Sequence, residues 1–450
     1  MNERKQSVTV LFEKITEFYI GSMISIFLLF PGFYGYARLT SQKWLLFVLL
    51  SGGYLFLCSL LSMELAVLGY RKLQKPLVIW NKWKLPQKLV FLYWCWSGIS
   101  TIFSVDNIQA FWGSARLEGF FTITLYCGCF LMISCWGRPA SWMLWLFGGS
   151  VGMNCVVALI QLAGFNPFSL FPIGMTYYDS GIQYEGQFLG TIGNTNLLSA
   201  VLCIAIPAFM AGIVCANGKA RFLLLLPMSL SLIVMVKASL AGGILGVTGS
   251  VLFALPVLVK NPVHKKRLIF FVLLLVLTGL LCIYFLGNHM DGFLYEAHEL
   301  MQGRWENSFG SGRLFIWRVA AKLVPQRLLL GGGPDTMGLR TDAYFEHFDS
   351  SLGMMVRSRI DTAHNEYLNI LVNQGLPALF LYLAALVSVA INWMKRASDY
   401  PAVAICGIAV LGYCIQAFFG ISSPVSTPFL WLVFGLLASC DGRITQEENT

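Results

Sequence analysis

Long apolar runs separated by short polar turns dominate this chain. A run of about twenty apolar residues can cross a bilayer as a helix. About twelve such runs occur: Phe18–Tyr36, Trp44–Tyr70, Val90–Phe103, Phe120–Cys135, Trp142–Leu162, Leu197–Cys215, Phe222–Val236, Leu240–Val259, Leu268–Leu286, Leu376–Trp393, Ala402–Phe419 and Pro428–Cys440. The pattern predicts an all-α, polytopic membrane protein of about 12 transmembrane helices.

Two polar stretches interrupt the pattern. Gly164–Asn196 is rich in Gly, Pro, Tyr and Asn, and Gly287–Gln374 is the one stretch with soluble-like composition. A loop that long in a compact protein usually carries function. Within it, Ser311 can cap a helix from Arg313 to Val324 that Pro325 stops. On that helix Arg313 and Trp317 lie one turn apart, as do Arg318 and Lys322. Gly331-Gly-Gly-Pro-Asp335 predicts a tight turn. Asp361 or Thr362 can cap a second helix carrying His364, closed by Gly375 before the next span. The expected organisation is spans 1–9 over residues 1–286, a large and mainly helical extracytoplasmic loop over 287–375, spans 10–12 over 376–440, and a cytoplasmic tail over 441–450.

Composition agrees. The chain is 57% hydrophobic and 12% charged, about half the charge of a soluble domain. The net charge of +9 reads as a topology signal. With the N-terminus inside as a short tail, most Lys and Arg fall in inner segments, among them Arg71, Lys72, Lys265, Lys266 and Arg267. The short outer loops hold only Arg38, Lys43, Arg116 and Lys237. That bias places both termini in the cytoplasm, with no cleavable leader, and needs no nucleic-acid partner. The twelve cysteines are scattered through the spans without metal or redox spacing, and read as small buried hydrophobes.

The candidate chemistry lies beside the spans. In Asp361-Thr-Ala-His364-Asn365, a histidine stands just before an apolar run. Histidine titrates near neutrality, and a helix N-terminus disfavours its charged form, so His364 can act as general base. Asp361 can orient it, and Asn365 can bond a sugar. A capping or surface histidine is the plain alternative. In Gly310-Ser-Gly-Arg313-Leu-Phe-Ile-Trp317-Arg318, the arginine forks suit diphosphate, or simply snorkel to lipid head groups. Two further segments, Ser104-Val-Asp106 to Arg116-Leu-Glu118-Gly119 and Gly190-Thr-Ile-Gly193-Asn194-Thr-Asn196, suit sugar contacts or ordinary turns. No Asp-x-Asp pair, Walker loop, GxGxxG or GxSxG appears. Glu346-His347-Phe-Asp349 comes nearest to a metal spacing and reads better as a solvated turn. No metal or other cofactor is expected. A transporter would want charged residues at mid-span and paired broken helices, and neither is visible.

Together these pieces resemble the O-antigen ligase and polymerase superfamily of bacterial membrane proteins. The matching residues are Gly312-Arg313, Trp317, Pro325, Gly331-Gly-Gly, and His364-Asn365 with nine residues before Gly375. The segments around Asp106–Gly119 and Gly190–Asn196 are similar too. The resemblance implies a bacterial inner-membrane enzyme that transfers a glycan from undecaprenyl diphosphate to a glycan, lipid or protein acceptor without a metal. The polymerase alternative joins two lipid-linked repeats. Carried over, His364 is the base and Arg313 the diphosphate contact, with Arg318, Asn365, Asp361, Arg116, Lys237, Asn194 and Asn196 as substrate contacts. One departure is Val236-Lys237-Ala-Ser239, where the family often has Ser-Arg. Ala378 is another, where Gly, Thr or Tyr is common.

Overall fold

The computed structural model describes residues 2–67, 76–114, 116–171, 176–179, 182–185, 189–216, 218–349 and 354–447. Helix dominates, because an apolar run leaves its backbone polar groups no other partners in lipid. A helix overlies each of the twelve apolar runs, within the described residues. These are α1 (Asn2–Ser22), α2 (Leu39–Val67), α4 (Leu85–Ile102), α6 (Phe120–Trp136), α7 (Ser141–Leu162), α8 (Thr195–Cys215), α9 (Leu225–Lys237), α10 (Ala241–Leu258), α11 (Pro262–Leu286), α14 (Glu366–Arg396), α15 (Pro401–Gln416) and α16 (Thr427–Glu447). Short helices α3 (Pro76–Lys82), α5 (Asn107–Trp112), α12 (Phe293–Met301) and α13 (Arg313–Leu323) lie between them. Seven described helices are long and apolar enough to cross a membrane, and Phe120–Trp136, Pro401–Gln416 and Thr427–Cys440 are shorter apolar helices. The end of the Trp44–Tyr70 run, the Arg71–Lys75 basics and part of Gly164–Asn196 lie outside the described residues.

The first run departs from expectation. Helix begins near the N-terminus at Asn2, continues through a π turn at Met23–Phe27, and stops before Pro31 and Gly32. Lys43, expected in a loop, is instead fully buried in α2. Its ammonium donates to the carbonyls of Phe27 and Leu28, each at 3.0 Å. The wide π turn leaves carbonyls at a helix end without intrahelical partners, and the ammonium satisfies them.

Helix α8 is the central post, with most of its side chains buried. It packs on α15, and α15 in turn packs on α10; α4 packs on α14 and α6 on α16. No residue of α11 is buried, so it rides at the rim.

Residues 287–365 are less helical than expected. Besides α12 and α13 they hold an antiparallel hairpin, β3 (Tyr344–Asp349) with β4 (Met354–Arg359), paired Glu346 to Arg357. A second hairpin, β1 (Thr176–Asp179) with β2 (Ile182–Glu185), lies in the other polar stretch. Glu346-His347-Phe-Asp349 is therefore strand, not turn, and the Glu346 carboxylate pairs with Arg357 at 3.3 Å. A small core of Ile316, Ala320 and Leu323 from α13 with Met337, Ile360, Ala363 and Val372 joins this region to the bundle.

Candidate active site

The site forms where three distant segments meet at one end of the bundle. The first runs from α5 to α6. Asp106 caps α5 through Gln109 N–H at 2.9 Å, and the backbone then turns back at Gly113 (φ 89°) and Leu117 (φ 56°). That turn presents Arg116. The second segment is Gly331–Asp335. Gly332 and Gly333 N–H donate to the carbonyls of Val372 and Asn373 at 3.1 and 2.7 Å, and Val105 N–H donates to Gly332 at 2.8 Å. A side chain on Gly331, at φ 66°, would strike the Asn373 backbone, so only glycine fits between these walls. Asp335 ends the loop. Its carboxylate accepts from Ser114 N–H at 2.6 Å and Glu118 N–H at 3.4 Å, bracketing the Arg116 turn.

The third segment carries the histidine. The cap of α14 is Asn365, whose side chain accepts from Leu368 N–H at 3.0 Å. His364 thus precedes the helix instead of lying in its first turn, and takes a left-handed φ of 47°. The backbone is strained there. Asn369 holds this entry in place, its side-chain oxygen accepting from the Thr362 hydroxyl at 3.2 Å and Ala363 N–H at 3.4 Å. Asp361 grips Arg116 through both oxygens, at 3.1 and 3.2 Å. No hydrogen bond joins it to the His364 ring among the described residues.

Arg313 approaches from another side. Gly312, not Ser311, caps α13: two successive left-handed residues, at φ 56° and 80°, turn the serine away, and the Phe345 ring fills the space a Cβ on Gly312 would need. The guanidinium donates to Phe419 O at 3.1 Å, Gly310 O at 2.7 Å and Asn196 Oδ1 at 3.0 Å. Three of its five N–H groups are used. Burial lowers its pKa, with Glu296 opposing, yet an arginine stays charged at neutral pH.

The histidine sits among these charges. Burial pushes its pKa down to about 4, and the positive charges of Arg116 and Arg313 add to the shift, against Asp361. At neutral pH the ring is therefore uncharged, with the charges of two guanidinium groups acting on it.

The fold thus gathers His364, Arg116, Asp361, Arg313 and Asn196. Asn194 and Asn365 are spent as helix caps, Asn194 accepting from Asn196 and Leu197 N–H at 2.9 and 3.3 Å. Arg318 is exposed; five residues beyond Arg313, it lies roughly 140° away around α13. Lys237 is exposed in the last turn of α9. Three acids carry no individual role in the sequence reading: Glu118 and Asp335 appear there only as parts of motifs, and Glu366 not at all. Asp335 brackets Arg116, and Glu118 and Glu366 lie buried beneath the site. Their one signal was position: each carboxylate stands at the mouth of an apolar run or in the glycine turn.

Fold and side-chain arrangement define a multi-pass helical membrane protein with a histidine and two arginines gathered at one end of its bundle. Residues 224–383, from the start of α9 into α14, match the family described as O-antigen ligase, which supports the O-antigen ligase and polymerase superfamily for this chain. The match includes Lys237, Arg313, Arg318, Asp361, His364 and Asn365, but neither Arg116 nor the Asn194–Asn196 segment. A comparison with curated proteins returns no match.

Proposed function

We propose that the protein is a ligase-type glycosyltransferase, moving a glycan from undecaprenyl diphosphate to an acceptor hydroxyl at the outer face of the bacterial cytoplasmic membrane. The observation that carries this reading is a neutral His364 acted on by the charges of Arg313 and Arg116, with His364 and Arg313 in the region matching the O-antigen ligase family. His364 takes the proton of the acceptor hydroxyl. The freed oxygen bonds to the anomeric carbon as that carbon's bond to the diphosphate breaks. Undecaprenyl diphosphate departs with the electron pair, its charge met by the spare N–H groups of Arg313. A single displacement inverts the anomeric centre. The positive charge comes from arginine, so the reaction needs no divalent ion.

Purified protein, undecaprenyl-diphosphate glycan and acceptor in excess EDTA test the reading. Wild type should turn over; His364→Ala should lose roughly a hundredfold or more, with donor binding kept. A folded His364→Ala protein with near-normal turnover, or activity that EDTA abolishes and magnesium restores, would overturn it. Extension of one lipid-linked repeat by another, with no other acceptor used, would make the enzyme a polymerase.

A further inference from the structure

Beside the site residues lies a small, partly open cavity of about 30 Å³, lined by polar and apolar groups alike, with room for one or two waters. Glu118, Asp335 and Glu366 line it together with Asn373. The acids belong to the site segments: Glu118 follows Arg116 by two residues, and Glu366 follows His364 by two. Glu118 accepts the Tyr126 hydroxyl at 2.6 Å, and Glu366 accepts those of Tyr382 at 2.7 Å and Tyr413 at 3.0 Å. The Asn373 side-chain oxygen is buried with no hydrogen-bond partner. Its amide donates to Asn369, and Asn369's oxygen already accepts from a backbone N–H, so a flipped amide does not relieve it. A buried carbonyl oxygen of this kind calls for a donor, and the cavity has room for a water.

The titratable groups facing Glu118 are Tyr93 from α4, Tyr126 from α6, Asp335, Glu366 and Tyr382 from α14, and Tyr413 from α15. Among the described residues, no Lys, Arg or His lines the cavity. Carboxylates sharing a buried site without a cation cannot all ionise. Burial pushes Glu118 up to about 8, with Asp335 and Glu366 adding to it against the hydrogen bonds from Tyr126 and Ser422.

We propose that Glu118 is a positioning acid: it keeps its proton, shares the cavity with a water held by Asn373, and in this neutral form fixes the turn that presents Arg116 to Asp361 and His364. Ionised, it would put a second negative charge beside Asp335, the residue that brackets the turn. The turn would then shift and the Arg116–Asp361 grip would loosen.

The role in transfer rests on the glycosyltransferase reading; the proton does not. The first test is a pH profile of Glu118→Gln, which keeps the shape and fixes neutrality. Wild-type transfer should fall above pH about 8, roughly tenfold by pH 9. Glu118→Gln should keep activity at pH 7 within about threefold and lack that alkaline limb. An unchanged limb in the variant would overturn the proposal. The second test is infrared difference spectroscopy of wild type against Glu118→Gln, which requires no turnover. A protonated-carboxyl stretch should be present at pH 7, disappear above about 8, and be missing in the variant. Its absence from wild type at pH 7 would sink the proposal even in an active enzyme. A chain showing the band and its alkaline loss but transferring nothing at any pH would support the protonated acid and count against the transferase reading.

Discussion

As the proposed base, His364 is weak in the free protein. In the free protein, burial and two guanidinium groups hold it at about 4. A diphosphate bound at Arg313 as proposed would bring negative charge near the ring and offset the arginines, so donor binding would raise the basicity that proton removal requires. Two different acid limbs follow. The limb of kcat/KM reports the free enzyme and should fall near pH 4, while that of kcat reports the loaded enzyme and should lie higher. Arg116→Ala removes a positive neighbour and leaves Asp361 uncompensated. Both changes raise the histidine, so the kcat/KM limb should move toward about 6.5. A mutant profile superimposable on wild type would show that Arg116 does not act on the base. His364 and Arg313 were legible in the sequence because titratable and forked groups beside apolar runs are costly and stand out. The partnership of Arg116 with Asp361 was not, since 245 residues separate them and no local pattern encodes such a contact.

At the scale of elements, the break in α14 carries the geometry. Gly375 has φ 84° and ψ 174°, a region open only to glycine, and a Cβ there would enter the Leu329 carbonyl. The break lets the turn behind Asn365 lean on the glycine loop while the rest of α14 continues as a span. Gly375→Ala should lower the melting temperature in detergent, with a backbone cost of about 1–3 kcal/mol before any clash, and should depress transfer at temperatures where the protein is still folded. Unaltered melting and transfer would mean that the two halves of α14 adjust independently. Gly375 was readable from its spacing to His364. The hairpins were not: in Tyr344–Asp349 apolar and charged residues fall on both faces, and the Glu346–Arg357 pair exists only once the strands meet. The α13 cap was missed for a similar reason. Ser311 is a good capping residue by type, but Phe345 from the hairpin claims the space at Gly312 and sets the turn.

For the whole molecule, the run of apolar helices was legible from hydrophobicity alone, while their packing order was not. Orientation rests on the Lys and Arg bias, and labelling tests it. Cysteines placed at the exposed Ser308 and Asp342, in a protein lacking the exposed Cys135 and Cys282, should react with an impermeant maleimide in intact cells. A cysteine at exposed Lys219 should react only after permeabilisation. The reverse pattern would place His364 and its neighbours on the cytoplasmic side and end the case for a lipid-linked donor outside. One contact bears on how the protein is made. Glu366 N–H, at the head of the helix behind His364, donates to the carbonyl of Ala417 at 2.9 Å, just past the end of α15. The same ring of contacts draws on Arg116 near the first quarter of the chain. Synthesis must therefore be nearly complete before the site can close, because a chain ending before Ala417 lacks the carbonyl that holds the helix behind His364.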